Sequence, residues 1–213
     1  MLTAAWITAR DLVGGLVLGV GLGSAADRLG EPLPPPIRRT LSALVALGIL
    51  VVAGRLWNRD VARLAGVAEP SRRMQLITAV TFGAAFIIVG SSLAFLEPGM
   101  VERGRASGLG IHVVYMTLFV PSTFLVATLG ALSLRMTIGE RIMTPWFAVV
   151  TGICAATAFL VADLLMDAAG WRVGAPDAAK RATMLVVTFV SVTAAALAAG
   201  GALGWRMSSA QSV

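Results

Sequence analysis

Residues 142–162 read IMTPWFAVVTGICAATAFLVA, an uncharged run from Ile142 to Ala162. A helix rises about 1.5 Å per residue, so a run of this length crosses the roughly 30 Å of hydrocarbon in a bilayer. Thr144-Pro145 opens it with a side chain that can cap orphan N–H groups, then a proline at the first helical position. The solvent for this stretch is lipid, and the question becomes how many such spans surround it.

Downstream, Ala182 to Trp205 is a second uncharged run, with Pro176-Asp177 ahead of it. Upstream, Ala106 to Leu134 is interrupted only by His112, and Met74 to Leu96 is bounded by Arg73 and by Glu97-Pro98-Gly99. Pro121 lies inside the Ala106–Leu134 run and frees the carbonyl of Thr117. A kink is expected there, with Ser122 and Thr123 able to satisfy the backbone. The first 60 residues are less clean. Leu12 to Ala26 and Leu41 to Gly54 are each too short alone. The first reaches spanning length if the helix starts near Thr3 and carries Arg10 and Asp11 into the bilayer edge. The second does so if it runs to Trp57 with Arg55 snorkelling. Between them, Gly30 to Pro36 reads as a stiff polyproline-type turn. A cleavable signal peptide ending near Ser24-Ala25-Ala26 is the competing reading, and Asp11 beside its apolar region argues against it.

The expected fold is therefore an all-α, polytopic membrane bundle of six spans. Residues 1–60 form a transmembrane hairpin, 61–73 a basic connection, and 74–213 a four-helix segment. Composition agrees: 57% of residues are hydrophobic and 13% charged, against about 25% charged in soluble domains. Both a water-soluble globule and a disordered chain are excluded. Trp6, Trp57, Trp146, Trp171 and Trp205 all fall at span ends, where an amphipathic indole suits the bilayer interface. Basic residues divide almost evenly between the two faces. The cluster Arg55, Arg59, Arg63, Arg72 and Arg73 decides the orientation, placing both termini in the cytoplasm of a bacterial-type inner membrane. The net charge of +6 is read as loop placement rather than nucleic-acid binding.

Chemistry is sparse. One cysteine and one histidine exclude an internal disulfide framework, a Cys-based metal centre and a two-histidine haem clamp. No phosphate-binding loop or nucleophile–base pair has diagnostic spacing, so no enzyme activity, metal or cofactor is expected. Four features stand out. Gly15, Gly19 and Gly23, and again Ala196, Gly200 and Gly204, form small-residue stripes that let backbones approach closely. Asp11 is an acid within a span, and adjacent residues point about 100° apart, so it need not pair with Arg10. Asp163 and Asp167 share a helix face and could take a cation or proton, although the plainer reading is a solvated helix end. His112 and Tyr115 share another face. A plain polar contact is the expected role there, and ligation of a haem or pigment, or a quinone hydrogen bond, is the sharper one.

The stretch Gly15-Leu16-Val17-Leu18-Gly19, with Asp27-Arg28-Leu29-Gly30 and a proline turn, resembles the hairpin of the small accessory proteins encoded beside rotary ATP synthases. The resemblance covers only the first two spans. The other four helices have no place in that family's two-helix plan, and no function is carried over.

The function expected from these features is a non-catalytic membrane subunit. It would pack through its small-residue faces against other membrane proteins or its own copies within the bilayer. The alternative is a small transporter or channel using Asp11 or the Asp163/Asp167 pair.

Overall fold

The computed structural model describes residues 1–67, 71–77, 79, 80, 83, 111–171 and 180–211, and every described element is helical. The chain begins with α1 (Leu2–Thr8), which passes through a wide π turn at Ala9–Val13 into α2 (Gly14–Leu29). It returns as α3 (Pro35–Leu64), and continues in α4 (Ile111–Ile138), α5 (Pro145–Ala168) and α6 (Lys180–Gln211). Five stretches are long and apolar enough to cross a membrane: Leu2–Leu29, Pro35–Leu64, Phe119–Ile138, Pro145–Ala168 and Val186–Ala210. Leu18, Leu44, Val52, Leu125, Ile153, Leu165 and Phe189 point outward, as side chains solvated by lipid do. The protein is an all-helical membrane protein.

Most of the expected span Met74–Leu96 lies outside the described residues. Residues 72–77, 79, 80 and 83 are helical. They run alongside α3 in the opposite direction. Arg55 Nε donates to Gln75 Oε1 (3.2 Å), and a Cβ on Gly83 would lie 3.2 Å from Leu47 and 3.3 Å from Val51.

Two elements depart from the sequence expectation. The second span is longer at both ends. Pro35 and Pro36 are not part of an extended turn but occupy the first two helical positions, where a missing N–H costs nothing. At the other end α3 stays helical through its charged turns to Leu64. Gly66 then adopts φ +67, with Gly66 N–H on the Arg63 carbonyl (3.1 Å) and Val67 N–H on that of Ala62 (3.1 Å). This is the paired bonding of a Schellman cap, and it satisfies carbonyls the helix leaves open. The first span is one helical rod interrupted by the π turn, which contains both Arg10 and Asp11. Elsewhere the local signals hold. The Thr144 hydroxyl accepts from Phe147 N–H (3.1 Å) at the start of α5. Helix α4 continues through Pro121, with Thr123 Oγ1 donating to the Phe119 carbonyl (2.7 Å).

The interior has two centres. Trp57, Val61 and Ala62 of α3 meet Leu134 and Ile138 of α4, Phe147 of α5, and Leu203 and Met207 of α6. Farther along, Ala155 and Phe159 of α5 pack with Val187, Ala195 and Ala199 of α6, and Phe119 of α4 stacks on Phe159 at 6.3 Å between ring centroids.

Candidate functional site

Small residues set how closely the helices approach. The α2 stripe lies on α3: a Cβ on Gly15 would collide with Ala53, and one on Gly23 would lie 3.4 Å from the Ser42 carbonyl. Ser42 Oγ also donates to the Gly23 carbonyl (2.8 Å). Gly19 is looser, with the Ala46 carbonyl 3.7 Å from its would-be Cβ. The α6 stripe lies on the first helix. A Cβ on Gly200 would sit 2.6 Å from both the Ala4 carbonyl and Thr8 Oγ1, and one on Gly204 would sit 2.9 Å from Ala4 and Met1. Ala196 packs with Ala9 and Val13. Both stripes thus face partners within the chain. A third close approach carried no stripe signal: a Cβ on Gly152 of α5 would strike Thr128 and approach the Phe124 carbonyl of α4 to 2.9 Å.

Thr8 is the node where these contacts join. Its hydroxyl is fully buried against the Gly200 site and accepts the indole N–H of Trp57 (3.1 Å). Trp57 is therefore not an interface anchor as its position suggested. It is 4% exposed, because an indole whose N–H finds an internal acceptor can be buried whole. Trp6, Trp146, Trp171 and Trp205 remain exposed.

Two residues beyond Thr8, Arg10 bridges two acids. Its Nε lies 2.6 Å from Asp11 Oδ1 and its Nη2 lies 2.6 Å from Asp60 Oδ2 on α3. Asp60 also takes Arg59 Nε at 3.1 Å and Arg63 at 3.8 Å. Helix geometry does not oblige the neighbours Arg10 and Asp11 to pair, yet here they do. Both residues lie in the π turn, whose wider winding alters the angular spacing of neighbours, and the arginine side chain is long enough to reach Asp60 as well. Asp11 is 8% exposed, and its second oxygen, Oδ2, has no hydrogen-bond partner.

A second polar feature lies toward the far end of the bundle. Helix α4 runs antiparallel to α5, in the register fixed by Gly152 against Phe124 and by the Phe119–Phe159 stack. Helix α6 runs antiparallel to α5 as well: Arg206 Nε donates to the Ile142 carbonyl (3.2 Å), while Phe159 packs with Val187. Asp163 follows Phe159 by one turn and is 0% exposed. Ser191, one turn from Val187 on the side away from Asp163, is also 0% exposed, and its hydroxyl has no hydrogen-bond partner. Asp167, one turn further out, is half-buried, and α5 ends there with Gly170 at φ +86. The backbone of α4's first turns, which carries His112 and Tyr115, lies toward this same end. Their side chains fall outside the described residues.

Sequence reasoning missed Asn58. It is 0% exposed in α3, and neither atom of its carboxamide has a hydrogen-bond partner. Flanked by Arg55, Arg59 and Asp60, it reads as one more polar residue on a wet helix end. Only the packing of α3 against its neighbours reveals it as interior. Among the described residues no group of three or more His, Cys, Asp or Glu side chains is placed to hold a metal ion.

The described polar features are therefore a buried carboxylate, Asp163, toward one end of a helical bundle, and an arginine-bridged acid pair toward the other. No protein-family model matches the chain, and neither a curated protein nor a solved structure does so.

Proposed function

We propose that this chain is a small membrane carrier that moves protons or a small monovalent cation by way of the buried Asp163, without a catalytic step or a resident cofactor. The observation that carries the reading is the complete burial of Asp163 inside a membrane-crossing helix, one turn from the buried Phe159. Burial in a span makes the charge of a carboxylate energetically sensitive to what it binds, a proton or a small cation included. Ionisable groups within spans are rare and usually functional.

The topology we infer with it has six spans and both termini in the cytoplasm of a bacterial-type inner membrane. Helix α3 ends, and α4 begins, at opposite ends of the bundle. The residues between them therefore have to cross once, and Met74–Leu96 is the stretch whose composition allows it.

The test is ion flux in proteoliposomes under an imposed membrane potential, read with an internal pH dye and repeated with sodium or potassium outside. Flux in the wild type that falls at least tenfold in Asp163→Asn, with the fold retained and Asp167→Asn milder, is the expected result. Equal flux in wild type and Asp163→Asn would end the proposal.

A second reading is a non-catalytic subunit of a larger membrane assembly. The stripes that suggested it pack within the chain. What favours it now is Gly21 and Gly48, both exposed on the α2–α3 hairpin with nothing within 4 Å of a would-be Cβ. Stoichiometric protein partners retained through mild-detergent purification, together with absent flux, would favour this reading over the carrier.

A further inference from the structure

The corner where α3 meets residues 71–77 gathers positive charge at one level of the bundle. The Arg55 Nε–Gln75 Oε1 bond (3.2 Å) sets the two segments side by side. Arg72 and Arg73, three and two residues before Gln75, therefore stand beside the turn of α3 that carries Arg55 and Arg59. Arg55, Arg72 and Arg73 are exposed. The negative charge nearby is largely committed. Asp60 is shared by Arg10, Arg59 and Arg63, and Arg55 is held by a neutral amide. Arg72 and Arg73 meet no carboxylate among the described residues, and Glu69 lies outside them. Exposed Trp6, on the helix that Arg10 ties to Asp60, marks this end of the bundle as lying at the bilayer interface.

Like charges converging at an interface repel one another, and more strongly as the local dielectric falls below that of water. A counter-anion removes that cost. At headgroup depth the abundant anion is a lipid phosphate, and a guanidinium fork matches its oxygens two at a time. We propose that Arg55, Arg72 and Arg73 form a binding site for the phosphate headgroup of an anionic phospholipid, at the seam between α3 and the helical segment that follows it. The site is independent of Asp163. It would also bind the protein more tightly in the leaflet richer in anionic lipid.

The protein is purified in a neutral detergent and its thermal unfolding midpoint measured with added phosphatidylglycerol, phosphatidylcholine or inorganic phosphate. Wild type should rise by about 3 °C or more with phosphatidylglycerol and by much less with phosphatidylcholine. The double variant Arg72→Gln/Arg73→Gln should lose most of that rise, while Arg28→Gln, at the opposite end of the bundle, should keep it. Native mass spectrometry gives a second readout. Wild type should retain bound phosphatidylglycerol that the double variant releases, which decides the matter even if the variant's own midpoint differs. Equal shifts with the two lipids, full retention in the double variant, or the same shift from inorganic phosphate at equal concentration would each overturn the lipid site.

Discussion

Adjacent glycines in α6 show how much the meaning of a residue depends on which way it points. A methyl on Gly200 would sit 2.6 Å from the Ala4 carbonyl and from the Thr8 hydroxyl, closer than any carbon settles. A methyl on Gly201 would meet nothing within 4 Å. Gly200→Ala should therefore push α1 off α6 and destabilise the bundle by roughly 1–3 kcal/mol, the usual range for overpacking. Gly201→Ala should be neutral or slightly stabilising, since alanine is the better helix former by up to about 1 kcal/mol. Thermal unfolding in one detergent checks both, and equal midpoints would mean that the α1–α6 contact does not hold the bundle together. The Gly200 contact was legible from its four-residue spacing with Ala196 and Gly204. The Gly152 contact was not, because one glycine among alanines and threonines has no period to reveal it. Trp57 and Asn58 were misread for a related reason. Sequence places both at a wet helix end, and only tertiary packing decides which side chains there turn inward.

The elements themselves were easier to read than their ends. Uncharged length alone places α4, α5 and α6, the first two spans also needing charged ends, and proline and threonine mark the start of α5. The positive-φ glycines Gly66, Gly139 and Gly170 stop α3, α4 and α5. The π turn was invisible in advance, since nothing in Ala9-Arg10-Asp11-Leu12-Val13 demands an extra residue in the turn. Its consequence is a clamp: Arg10, carried by the turn, reaches Asp60 on α3 as well as its neighbour Asp11. Asp60→Asn would deprive Arg10, Arg59 and Arg63 of their shared carboxylate. Hydrogen bonds to charged groups contribute about 1.5–3 kcal/mol, and exposed ion pairs about 0–1 kcal/mol. With the Asp60 side chain only 17% exposed, a loss of about 1–3 kcal/mol is expected. Arg63→Gln, whose contact with Asp60 is a longer 3.8 Å one made by a more exposed side chain, should cost less than Asp60→Asn. Denaturation midpoints of the two variants decide the point. A larger loss in Arg63→Gln would show that the Arg10 bridge is incidental.

For the whole molecule the strongest constraint is where helices begin and end. Gly204 lies against Met1 and Ala4, and Arg206 binds the carbonyls of Arg141 and Ile142, so the start of α1, the α4–α5 turn and the end of α6 share one face. Arg10 to Asp60 places the end of α3 near that face too. Helix α4, antiparallel to α5, must then begin at the opposite face, although the chain left α3 at the first. The proposed six-span topology needs one crossing between Leu64 and Ile111, and the described helical residues 72–77, 79, 80 and 83, antiparallel to α3, would form its first part. The uncharged run Met74–Leu96 meets the requirement by length alone. The check is cysteine labelling with a membrane-impermeant reagent, in a Cys154→Ser background, with single cysteines placed at positions 2, 32, 69, 102 and 210. Positions 2, 69 and 210 should label from one side of the membrane and positions 32 and 102 from the other. Labelling of 69 and 102 from the same side would remove the crossing. It would also break the even count, and it would force a different arrangement of α4 against the N-terminal hairpin.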